Sequence, residues 1–264
     1  MKLKIYVLTD NTASSSCKAE HGLSYLVEFD KKILFDTGQS DLFQENARFL
    51  DAPLEETGTI VLSHGHYDHG NGLKFIDNKT LICHPDAFLK RYSGHQMKYV
   101  GLNQTEEQIK QRFSVRESRE PVWVSDKMIF LGQIPRRFGF EKNITGFYLE
   151  NKQPDDIPDD TGLAVIMQQG LFVISGCAHS GICNIIEHAR DITGIQKVYG
   201  VIGGFHLKQY NQQTIETINQ FKEWGIKVVM PSHCTELPVL SAFYNEFKGE
   251  QVKAGTLYTF DKLF

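Results

Sequence analysis

The stretch from Ser63 to Gly70, with the sequence SHGHYDHG, constrains this chain more than any other, because it places three imidazoles and one carboxylate within six positions. It follows residues 59–62 (TIVL), an aliphatic and β-branched run that predicts a buried strand, and it ends in a glycine that allows a sharp turn. In a turning loop His64 and His66 project the same way and can hold one metal ion. The carboxylate and the third imidazole then face a second position. We call residues 63–70 the metal loop.

The ligand types in the metal loop indicate which ions fit it. Imidazole beside a carboxylate suits zinc, iron or manganese better than calcium or magnesium, which prefer shells of oxygen atoms. A polar surface loop rich in histidine is the alternative interpretation. Ten histidines in 264 residues make three within six positions hard to explain in that way. We therefore expect divalent transition metals, with zinc ahead of iron or manganese.

The pattern His64-x-His66-x-Asp68-His69 resembles the signature of the metallo-β-lactamase superfamily. The resemblance implies an α/β fold of four layers, an αβ/βα sandwich in which two facing mixed sheets carry outer helices and metals lie at the edge of the sheets. It also implies that Asp36, in an Asp-Thr-Gly run at the end of a predicted strand, supports the metal loop by hydrogen bonding. A simple turn is the alternative for that run.

Three further histidines follow strands in the second half of the chain, where strand and helix patterns alternate. The predicted strands are 171–174, 197–202 and 227–230, and the histidines that follow them are His179, His206 and His233. Functional sites in α/β proteins are built at the carboxyl ends of strands. We therefore expect these imidazoles to meet the metal loop.

These motifs, together with Glu20-His21-Gly22, make the chain similar to the branch of the superfamily named after 7,8-dihydropterin-6-methyl-4-(β-D-ribofuranosyl)aminobenzene-5′-phosphate synthase. One departure matters. Superfamily hydrolases usually carry a Gly-Asp pair whose carboxylate bridges two metals, but this chain has Gly176-Cys177 at that place. It also lacks a histidine between His95 and His179, where the superfamily has one before that strand.

The resemblance and its departures lead to a hypothesis with two metals. Each metal has three ligands: His64, His66 and His179 for one, and Asp68, His69 and His233 for the other. Cys177 is a possible further ligand, or a small buried residue, as strand-end cysteines more often are.

Other residues are assigned to catalysis or substrate binding. Asp68 and His206 are the predicted catalytic residues, and His206 would contact the substrate or stabilise developing negative charge. His21 would line the opposite wall. Arg136, with Arg137 beside it, is a candidate for binding an anionic group, and a solvated pair of arginines is the alternative.

Composition bounds the remaining possibilities. A chain with 41% hydrophobic and 23% charged residues fits one soluble domain over residues 1–264. The formal net charge of −4 disfavours nucleic acid as a partner, and the sequence has no apolar run long enough to span a membrane. Five cysteines without a Cys-x-x-Cys pair argue against a disulfide framework. We expect a cytoplasmic protein with a small-molecule substrate, and the oligomeric state is open.

Two polar segments interrupt the pattern. Residues 86–120 predict a helical insertion over the cleft, which would be either a substrate lid or a solvated excursion. Residues 151–160 contain two prolines and four aspartates and predict a long solvated loop, in which only Asp160 is a reserve ligand.

The predicted function is metal-dependent hydrolysis of a small molecule, and phosphorylated and pterin-like molecules are the candidate substrates. Zinc lowers the pKa of its bound water to about 7 and so supplies hydroxide at neutral pH. One alternative is a transferase that joins a dihydropterin methyl group to an arylamine. The other is a non-catalytic metal-binding protein, for which the missing bridging carboxylate is the sequence support.

Overall fold

The structure is a computed structural model that describes residues 1–141 and 146–260. Its strands, in chain order, are β1 (Leu3–Thr9), β2 (Ser24–Glu28), β3 (Lys32–Phe35), β4 (Thr59–Val61), β5 (Thr80–Cys83), β6 (Arg91–Ser93), β7 (Lys98–Tyr99), β8 (Ser114–Glu117), β9 (Val122–Trp123), β10 (Met128–Phe130), β11 (Phe147–Leu149), β12 (Gly162–Met167), β13 (Gly170–Ser175), β14 (Val198–Gly204), β15 (Val228–Ser232) and β16 (Thr256–Phe260). Its α-helices are α1 (Leu42–Phe49), α2 (Tyr67–Gly70), α3 (Glu106–Lys110), α4 (Ile182–Thr193), α5 (Gln212–Glu223) and α6 (Leu237–Phe247).

Two mixed sheets form the body of the described chain. The first has seven strands in the order β16-β1-β2-β3-β4-β5-β8, antiparallel up to β3 and parallel from β3 to β8. The second has six strands in the order β15-β14-β13-β12-β10-β9, with β13, β14 and β15 parallel. A small third sheet, β11-β6-β7, stands apart from them. The metal loop follows β4, and the three later histidines follow β13, β14 and β15.

Alternation along the strands sorts the apolar side chains into layers. In β3, Ile33 and Phe35 join a core between the two sheets, whereas Leu34 joins a cluster that also contains Phe43 of α1. The outer face of the six-stranded sheet packs on α4, α5 and α6. Helix α4 buries Ile182, Ile185, Ile186 and Ala189, a helical spacing that makes one apolar face. The predicted four-layer sandwich is therefore confirmed.

The predicted helical insertion over residues 86–120 is mostly not helical. Its α-helix, α3, has five residues, while β6 and β7 form part of the third sheet and β8 returns to the seven-stranded sheet. Arg91 lies in this polar segment, but its side chain is completely buried and makes ion pairs with Asp155 and Asp159.

The predicted solvated loop over residues 151–160 is also wrong in part. Asp155, Asp159 and Asp160 are buried, because the first two are paired with Arg91 and the third accepts a hydrogen bond from the backbone of Ser180. Buried carboxylates need such partners. The single-domain prediction for 1–264 includes residues 142–145 and 261–264, which lie outside the described residues. In the described ranges, no helix combines the length and apolar character needed to cross a membrane.

Candidate metal centre

The metal loop turns tightly because glycine permits a close backbone approach. A Cβ atom at Gly65 would lie 1.8 Å from the backbone oxygen of Ala87, so no other residue fits without movement of the chain. The Gly65 N–H donates to Asp159 Oδ2 at 2.7 Å, which ties the loop to the second half of the chain. His64 and His69 are completely buried, and His66 is 5% exposed.

Asp36 orients two histidines of the metal loop. One carboxylate oxygen accepts the Ser63 N–H at 2.7 Å, and the other accepts both the Ser63 hydroxyl and His69 Nδ1–H, each at 2.7 Å. Ser63 Oγ in turn lies 2.9 Å from His64 Nδ1. With Nδ1 of both rings donating outward, Nε2 of each ring faces the pocket and carries a lone pair when the ring is neutral. The structure thus places Asp36 in the supporting position predicted from the sequence.

The histidines after β13 and β15 reach the same pocket. The His179 ring lies 4.9 Å from the His64 ring and 5.0 Å from the His66 ring, between ring centres. His233 Nε2 lies 3.1 Å from His69 Nε2 and 3.4 Å from Asp68 Oδ2. His233 Nδ1 is held by Asn11 Oδ1 at 2.9 Å. The structure therefore brings together both predicted ligand sets, from opposite sheets.

Several ring nitrogens in the pocket have no hydrogen-bond partner among the described residues. His66 Nε2 and both ring nitrogens of His179 are buried and unpaired. Nε2 of His69 and Nε2 of His233, 3.1 Å apart, both carry lone pairs when their Nδ1 atoms donate outward, so a proton or a cation must lie between them. Buried polar groups of this kind normally have partners. These residues fit a transition metal, and His64, His66 and His179 offer donor atoms within 4.8 Å of one another.

Electrostatics divide the centre into a neutral part and a charged part. Burial lowers the pKa of His66 to about 3 and holds the pKa values of His64 and His179 well below their usual range, so these rings are neutral and free to bind metal. Burial alone would also lower the pKa of His69, but the charges of Asp36 and Asp68 outweigh it and raise that pKa to about 9.

Asp68 forms the charged part together with His21. Burial alone would raise the pKa of Asp68, but the charge on His69 and hydrogen bonds from His21 and His233 hold it well below its usual range. His21 Nε2 lies 3.1 Å from Asp68 Oδ2, and the His21 side chain is 53% exposed. His21 therefore lies at the rim of the pocket.

Arg136 is the residue predicted to bind an anionic group, but it does not line the pocket. Its guanidinium donates to the backbone oxygens of His179 and Asp156, which fixes the loop that carries His179. Arg137 is exposed and paired with Asp191. The two adjacent arginines suggested an anion site, because the sequence shows neither the backbone carbonyls that Arg136 contacts nor the carboxylate that pairs with Arg137.

A cavity of about 210 Å³ opens over the centre, and it includes residues that sequence reasoning missed. They come from the third sheet and the residue after β7, from the helix α2, and from the loops after β14 and β15: Tyr67, Ser93, Lys98, Val100, Phe147, Lys208 and Cys234. The Phe147 ring lies 5.2 Å from the His66 ring and 5.1 Å from the His179 ring. Cys234 could have been noticed because it directly follows His233. The remaining residues carry no local signal.

His206 and Cys177 both line this cavity. The His206 ring lies 4.2 Å from the His179 ring, and the backbone of His206 has a φ of 51°, in the left-handed region that non-glycine residues seldom adopt. His233 has a φ of 50°. Strain of this kind is concentrated at functional sites. Cys177 Sγ lies 3.2 Å from His69 Nε2, within reach of the same ions.

Comparison with known proteins agrees with this geometry. Residues 18–192 match the family model described as the metallo-beta-lactamase superfamily. The chain is 34% identical to 7,8-dihydropterin-6-methyl-4-(beta-D-ribofuranosyl)-aminobenzene-5'-phosphate synthase of Methanocaldococcus jannaschii, over 98% of this chain and 97% of the relative. It is 35% identical to the uncharacterized protein MJ0448 of the same organism, over 90% of this chain and 92% of the relative.

A solved structure with the same fold is that of Tm1679, described as a metal-dependent hydrolase of the beta-lactamase superfamily. It superposes with a TM-score of 0.86 at 30% identity and covers 97% of this chain and 98% of its own. Among these three relatives, one is named a synthase and one a hydrolase, so their names cover two reaction classes.

Proposed function

The chain belongs to the metallo-β-lactamase superfamily, and from this membership and the geometry of the pocket we propose that it is a metal-dependent hydrolase of a small phosphorylated molecule. The observation that carries the proposal is the convergence of unpaired buried ring nitrogens from both sheets, above all His66 Nε2 and the two nitrogens of His179. Such lone pairs are costly unless an ion binds them.

The residues divide into two ligand sets in this proposal. His64, His66 and His179 would hold one ion, and Asp68, His69 and His233 would hold the other. A bound divalent transition metal supplies Lewis acidity, which polarises the scissile group and lowers the pKa of a water molecule.

The chain's own residues would position that chemistry and move its proton. Asp36 fixes His69 so that Nε2 faces the pocket. Asp68 accepts a hydrogen bond from His21, and His21 is half-exposed, so the pair connects the buried centre with solvent. A proton released in the pocket can therefore leave through Asp68 and the imidazole of His21.

The pocket favours an anionic substrate with a flat ring. Lys98 and Lys208 lie at its rim and supply positive charge. The Lys208 Nζ donates a hydrogen bond to the Cys234 carbonyl at 3.0 Å and lies 3.6 Å from the exposed carboxylate of Glu236. Phe147 and Tyr67 supply aromatic surface on which a ring can stack. The volume of about 210 Å³ is smaller than the roughly 300–1,000 Å³ of pockets that enclose a whole drug-sized ligand, so it takes the reacting end of a substrate.

A second candidate is a transferase. Its support is the 34% identity with the M. jannaschii synthase over nearly the whole of both chains. In this reaction an arylamine attacks the methyl carbon of a dihydropterin, and a diphosphate group leaves. The two lysines and the metals would then bind the leaving group.

The test uses full-length protein stripped with a chelator and reloaded with zinc, iron or manganese. A hydrolase releases phosphate from phosphate esters or diphosphates with water as the sole co-substrate. A transferase is silent until both a hydroxymethyl dihydropterin diphosphate and an arylamine are present. His66→Ala should abolish the metal-dependent rate, whereas His95→Ala, on an exposed turn, should not. If no substrate in the panel gives a metal-dependent rate, the protein is a metal binder without turnover and the proposal fails.

A further inference from the structure

Three parallel strands of the six-stranded sheet deliver two thiols and one imidazole to the same point. Cys177 follows β13, His206 follows β14 and Cys234 follows β15. Their donor atoms, one from each residue, lie within 4.8 Å of one another. Neither of the two ligand sets uses the Cys234 thiol.

The surroundings favour an ion at this point over a simple packing contact. His206 Nδ1 is buried without a hydrogen-bond partner in the described part of the chain. Cys177 and Cys234 are 4% and 7% exposed, yet both line the cavity beside the metal loop. A Cβ atom at Gly204 would lie 2.6 Å from Cys234 Sγ, so glycine at that position leaves room for the thiol to face the other two donors.

We propose that Cys177, His206 and Cys234 form a thiolate–imidazole site for a borderline or soft metal ion, zinc above all, next to the two imidazole and carboxylate sets. The inference rests on the proposed metal-dependent function only in adding an ion position to the same pocket. Thiolate ligands select zinc over manganese, magnesium and calcium. Each thiol releases its proton to solvent on binding, so two thiolates balance the charge of one divalent ion.

This site offers a reason for the missing bridging carboxylate. Where related hydrolases have an aspartate, this chain has Cys177, and Cys234 stands opposite it one loop away. Donors around a zinc ion with bonds of about 2.3 Å to sulfur lie roughly 3.8 Å apart, so the three side chains need to close by about 1 Å or less. His206 is then a metal ligand and not the substrate contact predicted from the sequence.

The test is cobalt substitution of the full-length protein, because cobalt bound to thiolate absorbs in the near-ultraviolet by charge transfer. We expect this absorption in the wild type and a loss of about twofold in both Cys177→Ala and Cys234→Ala. Cys83→Ala is the matched control, since Cys83 is equally buried at the end of β5, and it should keep the full absorption. Bound cobalt without the absorption, or absorption unchanged in Cys234→Ala, overturns the proposal.

A measurement on the unmodified protein covers variants that do not fold. X-ray absorption of the zinc-loaded wild type should show sulfur at about 2.3 Å in addition to nitrogen at about 2.0–2.1 Å. A shell of nitrogen and oxygen alone overturns the thiolate site and leaves the proposed hydrolase intact. Sulfur ligation in a protein without any metal-dependent rate would support the thiolate site and contradict the proposed hydrolase.

Discussion

The two walls of the pocket are built in different ways. In the metal loop, His64 and His69 come from one short stretch, and a single carboxylate, Asp36, orients both of them directly or through Ser63. On the opposite wall, His179 and His233 lie on separate loops with separate supports. The Arg136 guanidinium donates to the His179 backbone oxygen, and Asn11 Oδ1 accepts a hydrogen bond from His233 Nδ1. The first wall should therefore respond to mutation as a unit, and the second one residue at a time.

The most direct way to break this comparison is to remove one ligand from each wall. We expect His64→Ala and His179→Ala each to lower the metal-dependent rate by more than about 1,000-fold, because a bound metal is worth several kcal/mol in the transition state. Steady-state rates at saturating metal, with metal content measured in parallel, provide the check. His188→Ala, a half-buried histidine of α4, is the control. A normal rate in His179→Ala would mean that the walls do not share an ion.

A second prediction concerns the support beneath the metal loop. Arg91→Met leaves Asp155 and Asp159 buried without their partner, and breaking such a buried pair costs about 3–5 kcal/mol of unfolding free energy. Arg119→Met is the control, because Arg119 pairs with Asp86 at the surface and such pairs contribute about 0–1 kcal/mol. Denaturant unfolding measures both. Equal losses of unfolding free energy in the two variants would show that the buried ion pairs of Arg91 stabilise the fold no more than the surface pair of Arg119 does.

A third prediction compares the carboxylates that support the two walls, Asp36 behind the metal loop and Asp160 behind the His179 loop. Asp36→Asn should weaken metal binding by about 10- to 100-fold, since Asp36 orients two ligands and asparagine cannot accept all of their hydrogen bonds. Asp160→Asn should weaken metal binding by less than about 10-fold, because Asp160 accepts a hydrogen bond from the Ser180 backbone and bonds no ring nitrogen among the described residues. Competition with a chelator gives both affinities. The reverse order would contradict the account.

The smallest effect is expected at the base of the His179 wall. Glu141 accepts hydrogen bonds from the backbone of Cys183 and Asn184 at the start of α4, and burial raises its pKa to about 7 from a usual 4.5. The folded state therefore binds the Glu141 proton more tightly than the unfolded state does. The contribution of this proton to the unfolding free energy is fully present below about pH 4.5 and is lost as the pH rises through 7.

We expect the unfolding free energy to fall by about 1 kcal/mol per pH unit at most from this group, and Glu141→Gln to flatten that slope. Subtracting the Glu141→Gln curve of unfolding free energy against pH from the wild-type curve leaves the contribution of Glu141. The contribution of His69 is separate, because it is lost only as the pH rises through about 9. Parallel curves for the wild type and the variant would rule out this role.

Local patterns in the sequence indicate the ligand types and several strands, whereas the four-layer fold follows from the resemblance of the metal loop to a known superfamily. The predicted strands 59–62, 171–174, 197–202 and 227–230 correspond to β4, β13, β14 and β15, whose ends differ from the prediction by at most two residues. The helix α6 and the edge strand β16 were not predicted. Strand β16 pairs with β1 from the other end of the chain, a contact that no local pattern shows.

The supports of the site could not be predicted for the same reason. The Gly65 N–H bonds Asp159, which is 94 residues away, and His233 bonds Asn11, which is 222 residues away. Arginine is a common ligand of anions, but the Arg136 guanidinium donates its hydrogen bonds to backbone carbonyls. A residue type indicates which chemistry is available, and only the fold decides what the side chain meets.

The central claim is that ligands from both sheets share metal ions, and anomalous X-ray diffraction from crystals of the zinc-loaded protein tests it most directly. We predict an anomalous peak within bonding distance of ring nitrogens from His64, His66 and His179. Peaks held by the metal loop alone, with His179 and His233 turned away, would contradict the account, as would zinc bound only outside this pocket.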